Sequence, residues 1–253
     1  MMFQDYGSTS SLKSILEISK AQNYTNIIKL NNIDSMTEQY ITIGNPITLL
    51  FENSNLEKDD LYTLSLTYGN HLHGSIPLSI LSNGERPLHY HEHFEIMYVL
   101  SGSMTHKIEN KIYTYHAGQC CLMNKNIRHC EEFNRNFQAL FFLFKDDFLL
   151  DIIKSKPIFT PYKSNNKCKN HKVPIYNFIQ KNFYTQSKYE KNYLDFTPTV
   201  PSEIILDLLN PLFNQMIEEI KNGKPGFIFI LKGLLERFFS ILEDPSFYHC
   251  SEI

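Results

Sequence analysis

Residues 89–95 read His-Tyr-His-Glu-His-Phe-Glu, three histidines and two carboxylates in seven positions. Alternate side chains of an extended strand share a face. His89, His91, His93 and Glu95 therefore project together, and Tyr90, Glu92 and Phe94 project the other way. The odd face continues through Met97 and Val99 and the even face through Ile96, Tyr98 and Leu100, so the second half of the run is apolar on both sides and belongs in a core. Imidazoles and a carboxylate on one face can converge on a divalent cation, hold a small polar ligand, or hydrogen-bond one another. The ordinary alternative is an edge strand whose first half emerges into water.

A second segment, "AGQCCLMNKNIRHCEEF" at 117–133, places His129 eleven residues after Gly118. Imidazole and carboxylate side chains suit Fe, Mn, Ni, Cu or Zn, and open coordination positions allow catalysis. Burying an ionised Glu95 among histidines costs several kcal/mol unless it is paired. A divalent cation would satisfy every member at once, and a hydrogen bond from a protonated histidine to Glu95 would do the same without metal. His71 and His73 repeat the spacing of two histidines one residue apart but have no carboxylate beside them, which places them in a loop. His106 and His116 fall on a central hairpin, where an inward direction depends on register through the turn.

The elements that must position these groups change character along the chain. Residues 10–22 space Leu12, Ile15 and Leu16 as a short helix would. Between about 39 and 145, short runs rich in Ile, Thr, Tyr, Phe and Leu alternate with Gly, Asn, Pro and Ser turns. About nine strands in that span suit a jelly roll or small barrel. "HFEIMYVLSG" and "SMTHKIE" are expected as separate strands meeting at Gly102. Residues 154–174 carry three prolines with many Asn and Lys, the composition of a solvated loop.

From Ser202 the period becomes helical. Pro211 marks a kink or a fresh start, and "NGKPG" at 222–226 ends the run. A last helix over about 227–243 carries a wide stripe of Leu231, Leu234, Leu235, Phe238, Phe239 and Leu242, and should pair antiparallel with the one before it. The stripe fits internal core or a dimer surface equally.

Composition bounds the function. A net charge of −3 and a pI near 6.4 lack the basic balance of a free-standing nucleic-acid-binding domain. Five cysteines in no metal or redox spacing fit a reduced, cytoplasmic setting. Apolar runs such as "ALFFLF" are far shorter than the roughly 20 residues a membrane-spanning helix needs. No Walker loop, dinucleotide fingerprint, serine elbow or HExxH occurs.

The spacing His89-x-His91-x3-Glu95-x6-Gly102 resembles the first cupin motif, and Gly118-x5-Asn124-x-Asn126-x2-His129 keeps the spacing of the second. Asn124 and Asn126 stand where that motif carries Pro and Gly, Phe133 stands in place of its trailing Asn, and Gly84 sits one residue too close. Asn adopts left-handed turn conformations, so the turn itself survives. The run from His89 to Gln119 further resembles the sensing domain of AraC-type transcription regulators over residues about 75–145. The helix pair matches the dimerisation segment that follows in those proteins.

The resemblance implies a mainly β protein with α: a cupin (jelly-roll-like) barrel followed by an antiparallel helix pair. It divides the chain into an arm (1–38), an effector-binding barrel (39–153), a loop-rich connector (154–200) and a helical dimerisation segment (201–253). A small effector would contact His89, His91, His93, Glu95, Met97, His106 and His129. In metal-bearing cupins the residues matching His89, His91, Glu95 and His129 bind a divalent ion. The helix stripe would pair a cytoplasmic homodimer, and DNA contact would fall to a C-terminal helix-turn-helix region outside this sequence. The alternative is a stand-alone cupin metalloenzyme of dioxygenase or sugar-isomerase type.

Overall fold

The computed structural model describes residues 28–32, 38–81, 84–154, 174–184 and 191–253. The helix expected at 10–22 lies outside them. The strands are β1 (Ile28–Asn32), β2 (Glu38–Ile43), β3 (Ile47–Asn55), β4 (Asp60–Thr67), β5 (Asn70–Pro77), β6 (Leu88–His91), β7 (Phe94–Ile108), β8 (Lys111–His116), β9 (Cys120–Met123), β10 (His129–Glu132), β11 (Phe137–Phe144), β12 (Tyr193–Pro198) and β13 (Tyr248–Glu252). The helices are α1 (Asp146–Lys154), α2 (Pro174–Tyr184), α3 (Ser202–Asn222) and α4 (Phe227–Leu242).

Strand β7 joins two sheets. Its first half pairs antiparallel with β11 and β9, within a sheet that continues through β3, β4 and β5 on one side and β12 and β13 on the other. Its second half pairs with β8 and β10, within a sheet that continues through β6, β2 and β1. The two expected strands are thus one, and Gly102 is a bend rather than a turn. Gly102 has φ +71°, and Ser103 N–H leaves the ladder to donate to the Asn136 carbonyl at 3.2 Å. A Cβ on Gly102 would lie 2.1 Å from that same oxygen.

The sheets curl around a buried interior to form a barrel, with alternation along the strands sorting the core into two parts. Met97, Val99, Cys121, Met123, Phe141 and Leu143 face the barrel interior with Met104 and Ile108. Phe94, Ile96, Tyr98, Leu122, Phe142 and Phe144 face outward beneath the helices. Both faces of β7 from Phe94 to Val99 are buried, as its continuous apolar run requires.

Helix α3 runs unbroken through Pro211. Pro211 and Asp207 are both exposed, so water can take the carbonyl that proline leaves unpaired. Gly223 ends the helix in a left-handed conformation, and α4 returns along α3 with Phe213 and Phe238 ring centroids 5.2 Å apart. Leu231, Leu234, Leu235, Phe238, Phe239 and Leu242 all turn inward onto the sheet. Such burial stabilises by roughly 1.5–3 kcal/mol per side chain. Of the two roles left open for this stripe, internal core is the one it fills. The segment expected as a loop-rich connector contributes helix α2 and strand β12, and β13 brings the chain back to the sheet beside β12.

Gly102→Ala is expected to lower stability in urea unfolding by more than the about 1–3 kcal/mol of left-handed strain, because the new Cβ also meets Asn136. Gly69, with φ +67° and nothing within 4 Å, isolates the strain alone in Gly69→Ala. Equal losses for the two variants would contradict the bend's role.

Candidate functional site

Three neighbouring strands build the site. His129 on β10 is directly paired with His89 on β6 and with Ile108 on β7, and Glu131 is paired with His106 on β7. Register therefore brings together residues far apart in sequence. The run 89–95 is not one regular strand, since a bend at Glu92 and His93 separates β6 from β7. Alternation nevertheless survives it. His89, His91, His93 and Glu95 are buried, at most 4% exposed, while Glu92 is exposed, which excludes the solvated-mouth reading. His93 stacks on His91 with centroids 3.9 Å apart. Asn126 adopts the left-handed conformation, φ +61°, and its N–H donates to the His91 carbonyl at 2.8 Å. That turn delivers His129 to His89, with centroids 4.2 Å apart. Asn124 is buried and donates to Asn182 Oδ1 at 2.7 Å.

Backbone carbonyls set the histidine tautomers. Nδ1 of His89 lies 3.0 Å from the Pro87 carbonyl, that of His91 2.9 Å from His93, and that of His129 3.0 Å from Ile127. A carbonyl only accepts, so each Nδ1 carries the proton and each Nε2 presents a bare lone pair. His91 Nε2 then faces Glu95 Oε2 at 3.1 Å, two lone pairs unless a proton or a cation lies between them. His129 Nε2 is 3.7 Å from Glu95 Oε1. A second carboxylate, Glu131, turns Oε1 toward His89 Nε2 at 3.9 Å and His106 Nε2 at 3.8 Å. The cluster thus has two carboxylate poles with His129 between them.

Burial dominates the electrostatics. It pushes His91 down to about 4 and holds His89, His93 and His106 well below the usual imidazole range. It pushes Glu95 up to about 7, against the pull of His129. Burial also raises Glu52 to about 7, although Arg86 opposes it. At Glu131 burial acts upward too, but Arg86, aided by His89 and His129, holds the carboxyl below the ordinary range. Arg86 braces both acids, bonding Glu52 through its Nη2 and placing Nε 2.9 Å from Glu131 Oε2.

Several polar atoms are left over. Glu95 Oε1, His93 Nε2, His129 Nε2 and both ring nitrogens of His106 are buried without a hydrogen-bond partner among the described residues. Each such atom costs about 1–3 kcal/mol. Two donor sets whose atoms lie within 4.8 Å of one another, His91/His93/Glu95 and His89/His129/Glu131, have the composition of a divalent-metal site. The residues present fit such an ion.

Of the residues expected at the site, His89, His91, His93, Glu95, His106 and His129 converge. Met97 shares their face one row further in, within the apolar interior. His71 and His73 lie on β5, a strand rather than a loop, and both are exposed, as is His116. Glu131, Arg86 and Glu52 were not expected. Glu131 was within reach of alternation, being two residues beyond His129 and so on its face, whereas Arg86 and Glu52 meet only through the folded barrel.

Residues 95–220 match the family model of the ExsA N-terminal regulatory domain, just under half of the chain. No curated protein sequence matches it. Solved structures with some similarity include a cupin-2 domain protein from Shewanella frigidimarina, at 16% identity over 34% of this chain and 72% of that one, with TM-score 0.24. Another is a predicted oxalate decarboxylase from Thermotoga maritima, at 18% identity over 35% and 70%, with TM-score 0.23. A third is a Cupin 2 conserved barrel domain protein from Salinispora arenicola, at 11% identity over 47% and 77%, with TM-score 0.25. The chain is a mainly β protein with a curled sheet and packed helices, and it carries a segment similar to a regulatory domain. No helix among the described residues is long and apolar enough to cross a membrane.

The raised Glu95 carboxyl has a pH signature. Its contribution to stability is fully present below the unfolded value near 4.5 and is lost as pH rises through about 7. Glu95→Gln, which cannot ionise, should therefore gain stability relative to the native chain between pH 5 and pH 8 when both are unfolded in urea with chelator present. A stability difference that is the same at both pH values would contradict the assignment.

Proposed function

We propose that this chain is the effector-sensing and dimerisation part of an AraC-like transcription regulator, binding a small ligand inside the barrel. The observation that carries the reading is the regulatory-domain match, which begins at Glu95 in the polar cluster and ends at Ile220 in α3. It takes in β7 from Glu95 onward, β10 and most of the first of the paired helices as one unit, with β6 and its His89 and His91 just ahead of it. Ligand recognition falls to His89, His91, His93, Glu95, His106 and His129, among which His93 Nε2, Glu95 Oε1, His129 Nε2 and both nitrogens of His106 have no hydrogen-bond partner among the described residues. Filling them changes the packing of β7, and the outer face of β7 lies against α3 and α4 through Tyr98, 4.9 Å from Phe213 and 6.1 Å from Phe238. A ligand acts along this route only by favouring one of two packings over the other. DNA contact belongs to a region outside this sequence, and the setting is cytoplasmic.

Dimerisation through the helices has to use their outward side chains, since the stripe of α4 is internal. Ile204 and Leu208 on α3, and Phe229 and Ile230 on α4, are exposed. A cupin metalloenzyme of dioxygenase or sugar-isomerase type is a second reading, supported by the approach of His91, His129 and Glu95 to one another. When bound there, a divalent ion would act as a Lewis acid on oxygen, water or a substrate hydroxyl, with the three side chains holding and orienting it.

Sedimentation of the native chain should give a dimer, and Phe229→Asp combined with Ile230→Asp should give a folded monomer. A native monomer, or a dimer untouched by the two substitutions, would count against helix-mediated pairing. Small polar compounds and divalent ions that raise the melting temperature of the native chain should fail to do so with His91→Phe and with Glu95→Gln. Ligands that stabilise all three proteins equally would place recognition elsewhere.

A further inference from the structure

Glu131 and His106 have no place in either cupin-like motif, yet they complete one end of the cluster. Oε1 of Glu131 lies 3.9 Å from His89 Nε2 and 3.8 Å from His106 Nε2. These separations are too long for hydrogen bonds. They suit an intervening ion, because two donor atoms each about 2.1 Å from a divalent metal lie at most about 4.2 Å apart.

Three further observations converge on the same place. The Pro87 carbonyl fixes His89 with its Nε2 lone pair bare. Both nitrogens of His106 are unpartnered among the described residues, and the side chain is fully buried. Glu131 keeps Oε2 on Arg86 at 2.9 Å, which orients Oε1 into the cluster as an outer partner orients a metal-bound carboxylate. Charge points the same way, since Glu52 and Glu131 are both buried and share the single positive charge of Arg86. The interior therefore favours an incoming cation over an anion.

We propose that His89, His106 and Glu131, with His129 at their edge, form a divalent-cation site separate from the one centred on Glu95. The ligand atoms are Nε2 of His89, Nε2 of His106 and Oε1 of Glu131. His129 Nε2 stands between the poles, within 4.8 Å of the donor atoms of His89 and Glu131 and 3.7 Å from Glu95 Oε1, while His91, His93 and Glu95 make the other pole. Each pole would then hold one ion. The inference stands apart from the regulatory reading, because either a sensor or an enzyme can carry such a pair.

Equilibrium dialysis of the full chain against Co²⁺ at pH 8, after removal of bound metal by chelator, tests it. The native chain should take up two ions, and His106→Leu and Glu131→Gln one each. Glu131→Gln also loosens the Arg86 network, whereas His106→Leu removes only unpartnered nitrogens and should fold as the native chain does. A native uptake of one ion or none overturns the proposal, as does a second ion that survives His106→Leu. Dimer formation and ligand response are read in separate experiments, so failure here leaves the regulatory reading standing.

Discussion

One strand serving two sheets is the constraint on which this structure depends. β7 enters the barrel beside β11 and β9 and leaves it beside β10 and β8, and the change of partners is made at Gly102. Glu95 belongs to its first half and His106 to its second. Without the bend the two carboxylate poles would sit on one flat sheet rather than face into a common interior. The bend tolerates no side chain, because the Asn136 carbonyl occupies the space where a Cβ would go.

The interior shows what folding does to titratable groups that it buries together. Desolvation disfavours every charge, so the histidines stay neutral and Glu95 holds its proton to about pH 7. Backbone carbonyls then decide which ring nitrogen is bare. The result is a set of lone pairs aimed at carboxylate oxygens, an arrangement that a proton relieves in part and a cation relieves more fully. Arg86 is the exception: by neutralising Glu131 it keeps one carboxylate ionised inside the barrel.

Much of this was legible in the sequence. Period-two alternation placed His89, His91, His93 and Glu95 on one face but left open whether water or the core covered it, and the resemblance to the second cupin motif singled out His129 as their partner. The wide stripe of α4 correctly announced a buried helix, but pattern alone cannot distinguish a chain's own sheet from a second copy, and the sheet is what it covers. Gly102 looked like a hairpin turn because a glycine after an apolar run ordinarily is one. Its role as a bend depends on Asn136, which lies 34 positions away. Glu52 and Arg86 were illegible for the same reason, since their pairing is created by long-range register and leaves no local spacing to read.

The account rests on the tautomers of His89, His91 and His129, and ¹⁵N NMR of the histidine side chains in metal-free protein reads them directly. Neutral rings with the proton on Nδ1 at pH 7, assigned by single His→Gln variants, with His91 still mostly neutral at pH 5, are the expected result. Imidazolium signals at pH 7, or protons on Nε2, would mean that the lone pairs do not face the carboxylates and that the site is organised differently.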